Sequence, residues 1–75
     1  MNYTIKVTGM MCGHCEASVE SSLLKVAGVT DADADHEANT VAVTCDDGVS
    51  TDALTQAVES AGPGDKFKVT AVEAA

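Results

Sequence analysis

The hydrophobic period of this 75-residue chain switches four times between the two of a strand and the roughly 3.6 of a helix. Tyr3, Ile5 and Val7 alternate with Thr4, Lys6 and Thr8, and Gly9 ends that run. Val19, Leu23 and Val26 then recur at helical spacing, with Glu16 and Glu20 on other faces and Gly28 as a terminator. Glu16, near the start, suits the positive end of the helix dipole. Next, Asp31, Asp33, Asp35 and Glu37 point one way, and Ala32, Ala34, His36 and Ala38 the other. Alanine is a weak strand former, so here pattern overrules propensity. Asn39-Thr40 marks a turn into a second hairpin strand with Val41 and Val43, and Asp46-Asp47-Gly48 is a loop. Ser50 or Thr51 caps a second helix with Leu54, Val58 and Ala61 inward, stopped by Gly62-Pro63-Gly64. Phe67, Val69 and Ala71 (or Val72, if the register shifts) make a last strand, and Ala74-Ala75 fray.

Strand, helix, strand, strand, helix, strand predicts an α+β, ferredoxin-like βαββαβ sandwich: a four-stranded antiparallel sheet with both helices on one face. The other face is then solvated, with the aspartates on it and the alanines beneath the helices. Residues 1–75 form one domain on this reading, with one small core.

Composition narrows the function. Twelve acidic residues face four lysines and no arginine, for a net charge of -8. Nucleic acid requires cationic contacts and is a poor partner, as is an anionic membrane. Three cysteines are an odd number, which excludes a full disulfide framework and points to a reducing compartment. The amino-terminal stretch has no basic region followed by an apolar run, and no stretch is long enough to span a bilayer. The expectation is a cytoplasmic protein without stable membrane association. No carboxylate pair, nucleophile–base constellation or phosphate loop is visible, so enzyme chemistry is not expected.

The chemistry concentrates in Gly9-Met10-Met11-Cys12-Gly13-His14-Cys15. Two thiols three residues apart, between a strand and a helix, can aim both sulfurs at one point. Thiolates bind soft metals or do redox chemistry. A pair of inert structural thiols is the plainest reading, and a loop-to-helix junction does not favour it.

With Gly9-Met10-x-Cys12-x-x-Cys15, the chain resembles the heavy-metal-associated domain family, which includes small copper chaperones and the amino-terminal modules of copper-transporting P-type ATPases. The likeness extends to Val19 and Leu23, Gly28-Val29, Leu54, Val58 and Ala61-Gly62. It implies copper(I) held by Cys12 and Cys15 and passed by stepwise thiolate exchange to a copper-transporting P-type ATPase or its metal-binding domain. Copper(I) is soft and accepts a near-linear pair of sulfurs. The apo chain is expected to be monomeric, and two chains sharing one ion is an open alternative. Two other readings compete: a binder of mercury(II), zinc(II) or cadmium(II), and a thiol-disulfide oxidoreductase. Cys-Gly-His-Cys also occurs in thioredoxin-like isomerases, but this chain is short for that fold and has no tryptophan before Cys12. The starting Met mildly favours a free-standing protein over an excised ATPase module.

The neighbours of the pair each have a bland reading and a functional one. By the resemblance, Met10 lies inward and supports the metal loop, whereas Met11 is exposed. Met11 also stands where zinc-preferring relatives often carry an aspartate. His14 reads first as a solvated loop side chain, and otherwise as a tuning group or occasional third ligand. His36 stands where the family usually has an apolar residue; a partly buried, hydrogen-bonded histidine is expected. Cys45, after the third strand, is expected at the opposite pole as a surface or partly buried thiol. In the loop before the last strand, where the family often contributes a supporting group, Lys66 could neutralise the bis-thiolate copper(I) centre, or Phe67 could shield it.

The acidic stripe suits a docking face for a basic partner or a life in strong salt. Aspartates two apart on one strand face repel, and molar salt screens that cost. The balance of Asp, Ala, Thr and Val with few lysines resembles halophilic proteins, and folding is expected to weaken as salt is removed.

Overall fold

The computed structural model describes residues 1–10, 13–62 and 66–74. Its elements are β1 (Asn2–Thr8), α1 (Gly13–Leu24), β2 (Val29–Asp35), β3 (Thr40–Cys45), α2 (Thr51–Glu59) and β4 (Lys68–Ala74). The strands form one antiparallel sheet in the order β2-β3-β1-β4. Ile5, Val7, Ala32, Ala34, Val41 and Val43 of the strands share a buried core with Val19 and Leu23 of α1, Leu54 and Val58 of α2, and Phe67. Asp31, Asp33 and Asp35 are exposed. This is the expected βαββαβ architecture, with the aspartates on the solvated face.

Several boundaries differ from expectation for local reasons. Helix α1 stops at Leu24, so Val26 is half-buried in the turn beyond it rather than on the helix. Strand β2 stops at Asp35, because the Asp35 Oδ1 accepts from the N–H groups of Glu37 (3.0 Å) and Ala38 (3.3 Å) and folds the chain into a turn. Asn39 completes the turn at φ 57°, a left-handed conformation that asparagine tolerates. In α2, Ser50 is the cap, its Oγ accepting from Ala53 N at 3.1 Å. Ala57 takes a buried place, while Ala61 lies past the end of the helix and is half-buried. The register against β1 shifts between Lys6 and Val7, so Val72 pairs with Ile5 and packs on the core. Ala74 does not fray; it pairs with Tyr3. Ala75, and Pro63-Gly64 of the expected helix stop, lie outside the described residues.

The outer strands β2 and β4 expose backbone donors that would invite further pairing. Carboxylates occupy several of them. Ala34 N donates to Glu20 Oε2 (2.8 Å) and His36 N to Glu16 Oε2 (2.7 Å), both from α1. Ala32 N donates to Asp31 Oδ1 (3.0 Å). On the other edge, Val69 N donates to Glu59 Oε2 of α2 (3.2 Å). The helix glutamates thus seal the sheet as well as solvating the surface. The helices are tied together by Ser22 Oγ, which donates to Ala57 O at 2.6 Å.

Candidate metal centre

Strand β1 delivers the chain to Gly9, whose φ of 99° disfavours any side chain. A Cβ there would lie 1.9 Å from the Lys66 carbonyl oxygen, so the loop after β1 runs directly against the backbone that enters β4. Met10 follows at 4% exposure, turned into the core as the resemblance implies. Met11 and Cys12 lie outside the described residues. Among the described residues helix α1 runs from Gly13, which puts Cys15 near its amino-terminal end, where backbone N–H groups stabilise negative charge. His14 is therefore a helix residue and exposed, not a loop side chain.

Beside Cys15 is a recess of about 80 Å³ lined by His14, Cys15, Ser18, Ala61, Gly62, Lys66 and Phe67. Phe67 is buried and Lys66 exposed, the lysine Nζ 5.7 Å from the centre of the Phe67 ring. Gly62 permits the approach of the loop after α2: a Cβ there would meet the ring at 2.6 Å. Of the residues singled out in the sequence, His14, Cys15, Lys66 and Phe67 converge on this recess. Met10 does not line it.

The opposite flank of α1's first turn holds a contact that the sequence reading passed over. Glu16 Oε2 accepts from the His36 backbone N–H at 2.7 Å and lies 2.6 Å from the His36 Nδ1. His36 is half-buried and hydrogen-bonded, as expected, but its partner was not identified. Two signals were available: a histidine where the alternation calls for an apolar residue, and glutamates one helical turn apart at 16 and 20. Each partner shifts the other. The His36 backbone N–H, followed by its ring, holds the Glu16 carboxyl below the ordinary range, and the hydrogen bond to Glu16 raises the imidazole above its ordinary value.

Cys45 requires a correction. It is the last residue of β3 and continues the inward set of Val41 and Val43, so at 3% exposure it is a core residue rather than a surface or partly buried thiol. Its N–H donates to Met1 O (2.8 Å), and the Met1 ammonium donates to its carbonyl (2.5 Å). The polar separation was as expected: β3 pairs with β1 so that Thr44 lies opposite Asn2 and Thr40 opposite Lys6, which puts Cys45 at the end away from Gly9.

Among the described residues, no three His, Cys, Asp or Glu side chains form a metal-holding group. No described helix is long and apolar enough to cross a membrane. Comparison with known proteins supplies the context. The model of the heavy-metal-associated domain family matches residues 4–64. The copper chaperone CopZ of Staphylococcus haemolyticus (strain JCSC1435) is 43% identical over 63 residues, covering 83% of this chain and 93% of that one. A solved CopZ metallochaperone superposes with a TM-score of 0.85 at 37% identity, over 93% of this chain and 100% of its own. A copper binding domain from HMA7, a P-type ATPase, gives 0.81 at 32% identity, over 97% and 99%.

Proposed function

The chain belongs to the heavy-metal-associated domain family, and from that premise we propose that it is a copper(I) metallochaperone, with Cys12 and Cys15 as the ligands. The observation that carries the reading is the place of Cys15, on the first turn of α1 beside an open recess. The helix end favours the thiolate. Two thiolates suit a soft monovalent ion that accepts two-coordination. Each thiol gives up its proton as the metal arrives. The bis-thiolate copper(I) unit then carries one net negative charge, and Lys66, on the recess wall, would offset it. Phe67 would keep water from one side.

Hand-over follows from the low coordination number. A thiolate from a partner adds to the copper as a third ligand, one of the chain's own sulfurs leaves and takes up a proton, and a second exchange completes the transfer. No electron moves, and copper is never free. The partner we propose is a copper-transporting P-type ATPase, through a metal-binding module of this same fold. The place of action is the cytoplasm, and residues 1–75 act as a single domain.

The test is transfer itself. Copper(I)-loaded chain is mixed anaerobically with the amino-terminal metal-binding module of such an ATPase, with and without a high-affinity chelator. Transfer that proceeds undiminished in the chelator's presence supports direct exchange. Copper captured by the chelator instead would overturn it. Parallel loading with zinc(II) tests the metal: displacement of copper(I) by zinc(II) at equal concentration would replace the copper assignment.

A further inference from the structure

The Glu16–His36 contact joins the first turn of α1 to the turn between β2 and β3. Glu16 directly follows Cys15 in the first turn of α1. That turn is the weakest part of a helix, because its N–H groups have no partners within the helix. The same turn contains Gly13, whose flexibility adds to the cost of ordering it. His36 belongs to the β2–β3 turn, which is itself fixed by the Asp35 side chain. The same turn reaches β1, since Val7 N donates to Asn39 O at 2.9 Å. One rigid turn therefore braces the strand that enters the cysteine loop and the helix that leaves it. Glu20, one helical turn along, holds the same face of α1 to Ala34.

We propose that Glu16, through His36, is a positioning residue for Cys15: the clamp fixes the first turn of α1 and sets how far the Cys15 sulfur is presented to an incoming ligand. Its consequence for metal hand-over rests on the function proposed above. The clamp flanks the turn on the side away from the recess, so it acts on Cys15 through the backbone and touches no incoming ligand itself. A loosened turn would present the sulfur more readily and less reproducibly.

The test uses the reduced, metal-free full chain. Alkylation of Cys15 and Cys45 by iodoacetamide is followed residue by residue by mass spectrometry. Glu16→Ala is expected to raise the Cys15 rate about threefold to tenfold, the range one net hydrogen bond spans, and to leave Cys45 unchanged. Glu16→Gln, which still accepts from His36 N but carries no charge, is expected to restore the native rate. An unchanged Cys15 rate in Glu16→Ala would overturn the proposal. So would a Glu16→Gln rate equal to that of Glu16→Ala, because charge rather than position would then be responsible. Should Glu16→Ala fail to fold, Glu16→Asp takes its place: it keeps a carboxylate in the first turn of α1 but draws it back by one methylene from the His36 N–H. A Cys15 rate raised in that variant supports the clamp, and an unchanged one overturns it. Because no copper is present, these rates stand even if the native chain fails to hold copper, a failure that would overturn the proposed function alone.

Discussion

Cys15 and Cys45 are buried to almost the same degree, 5% and 3% exposed, and they are suited to opposite tasks. Cys45 ends a central strand, points into the aliphatic core, and has both backbone groups bound to Met1. It packs as a small hydrophobe. Cys15 sits where a helix begins, at the wall of an open recess, with the braced β2–β3 turn on the other side of its helical turn. Low exposure alone does not distinguish a ligand from filler. What does is whether the backbone around the sulfur welcomes negative charge and whether a ligand can reach it.

The contrast can be broken from the loop side first. Gly9→Ala forces a left-handed backbone on a residue with a Cβ and drives that atom into the Lys66 carbonyl. A loss of about 3 kcal/mol, or roughly 12–24 °C in Tm, is expected. Thermal melts followed by circular dichroism measure it, and a fall of only a degree or two would mean the loop does not rest on Lys66 as described. At the other pole, Cys45→Ser buries a hydroxyl among apolar groups and should cost about 1–3 kcal/mol in urea unfolding. A neutral substitution there would mean Cys45 is not core.

Smaller effects sharpen the account. Glu20→Ala frees the Ala34 N–H on the sheet edge and should cost about 1 kcal/mol. Ultracentrifugation should also show more self-association than in the native chain, the expected consequence of an uncovered edge. The clamp has its own pH window. The raised His36 pKa means its contribution is full below the ordinary imidazole value and fades as pH rises through the folded value. The lowered Glu16 pKa means its contribution is present above the ordinary carboxylate value and is lost as pH falls through the folded value. The link is thus strongest between the two. An NMR titration of His36 should give a midpoint above the ordinary imidazole value that drops in Glu16→Gln. A midpoint at or below the ordinary value in the native chain would contradict the hydrogen bond.

Much of this was legible because the core is written in period. Ile5, Val7, Ala32, Ala34, Val41 and Val43 face inward as their alternation dictates, and Leu23, Leu54 and Val58 as helical spacing dictates. The spacing of Cys12 and Cys15 singled out the segment in which Cys15 lines the recess. What was not legible depends on contacts between segments far apart in the chain. Glu16 and Glu20 read as solvated helix positions, because nothing local reveals that α1 lies along the edge of β2. The end of β2 was missed because Asp35, read as one of an alternating set, uses its side chain to start a turn. Cys45 was placed at the correct pole but as a surface or partly buried thiol rather than a core one, since the inward alternation was carried only as far as Val43. The register at β4 was left between Ala71 and Val72, and the bulge opposite Lys6 and Val7 decides for Val72. The halophilic reading of the acidic stripe is carried by composition alone, and a Tm unchanged between low and molar KCl would remove it.

The central claim is that one buried cysteine serves the metal and the other serves the fold. It is tested most directly by anaerobic titration of the reduced chain with copper(I) against a chromogenic copper(I) chelator, for the native protein, Cys12→Ser, Cys15→Ser and Cys45→Ser. The account predicts one copper held per chain in the native protein and in Cys45→Ser, with retention weakened more than about 100-fold in the other two. Copper retained by Cys15→Ser, or lost from a folded Cys45→Ser, would contradict it.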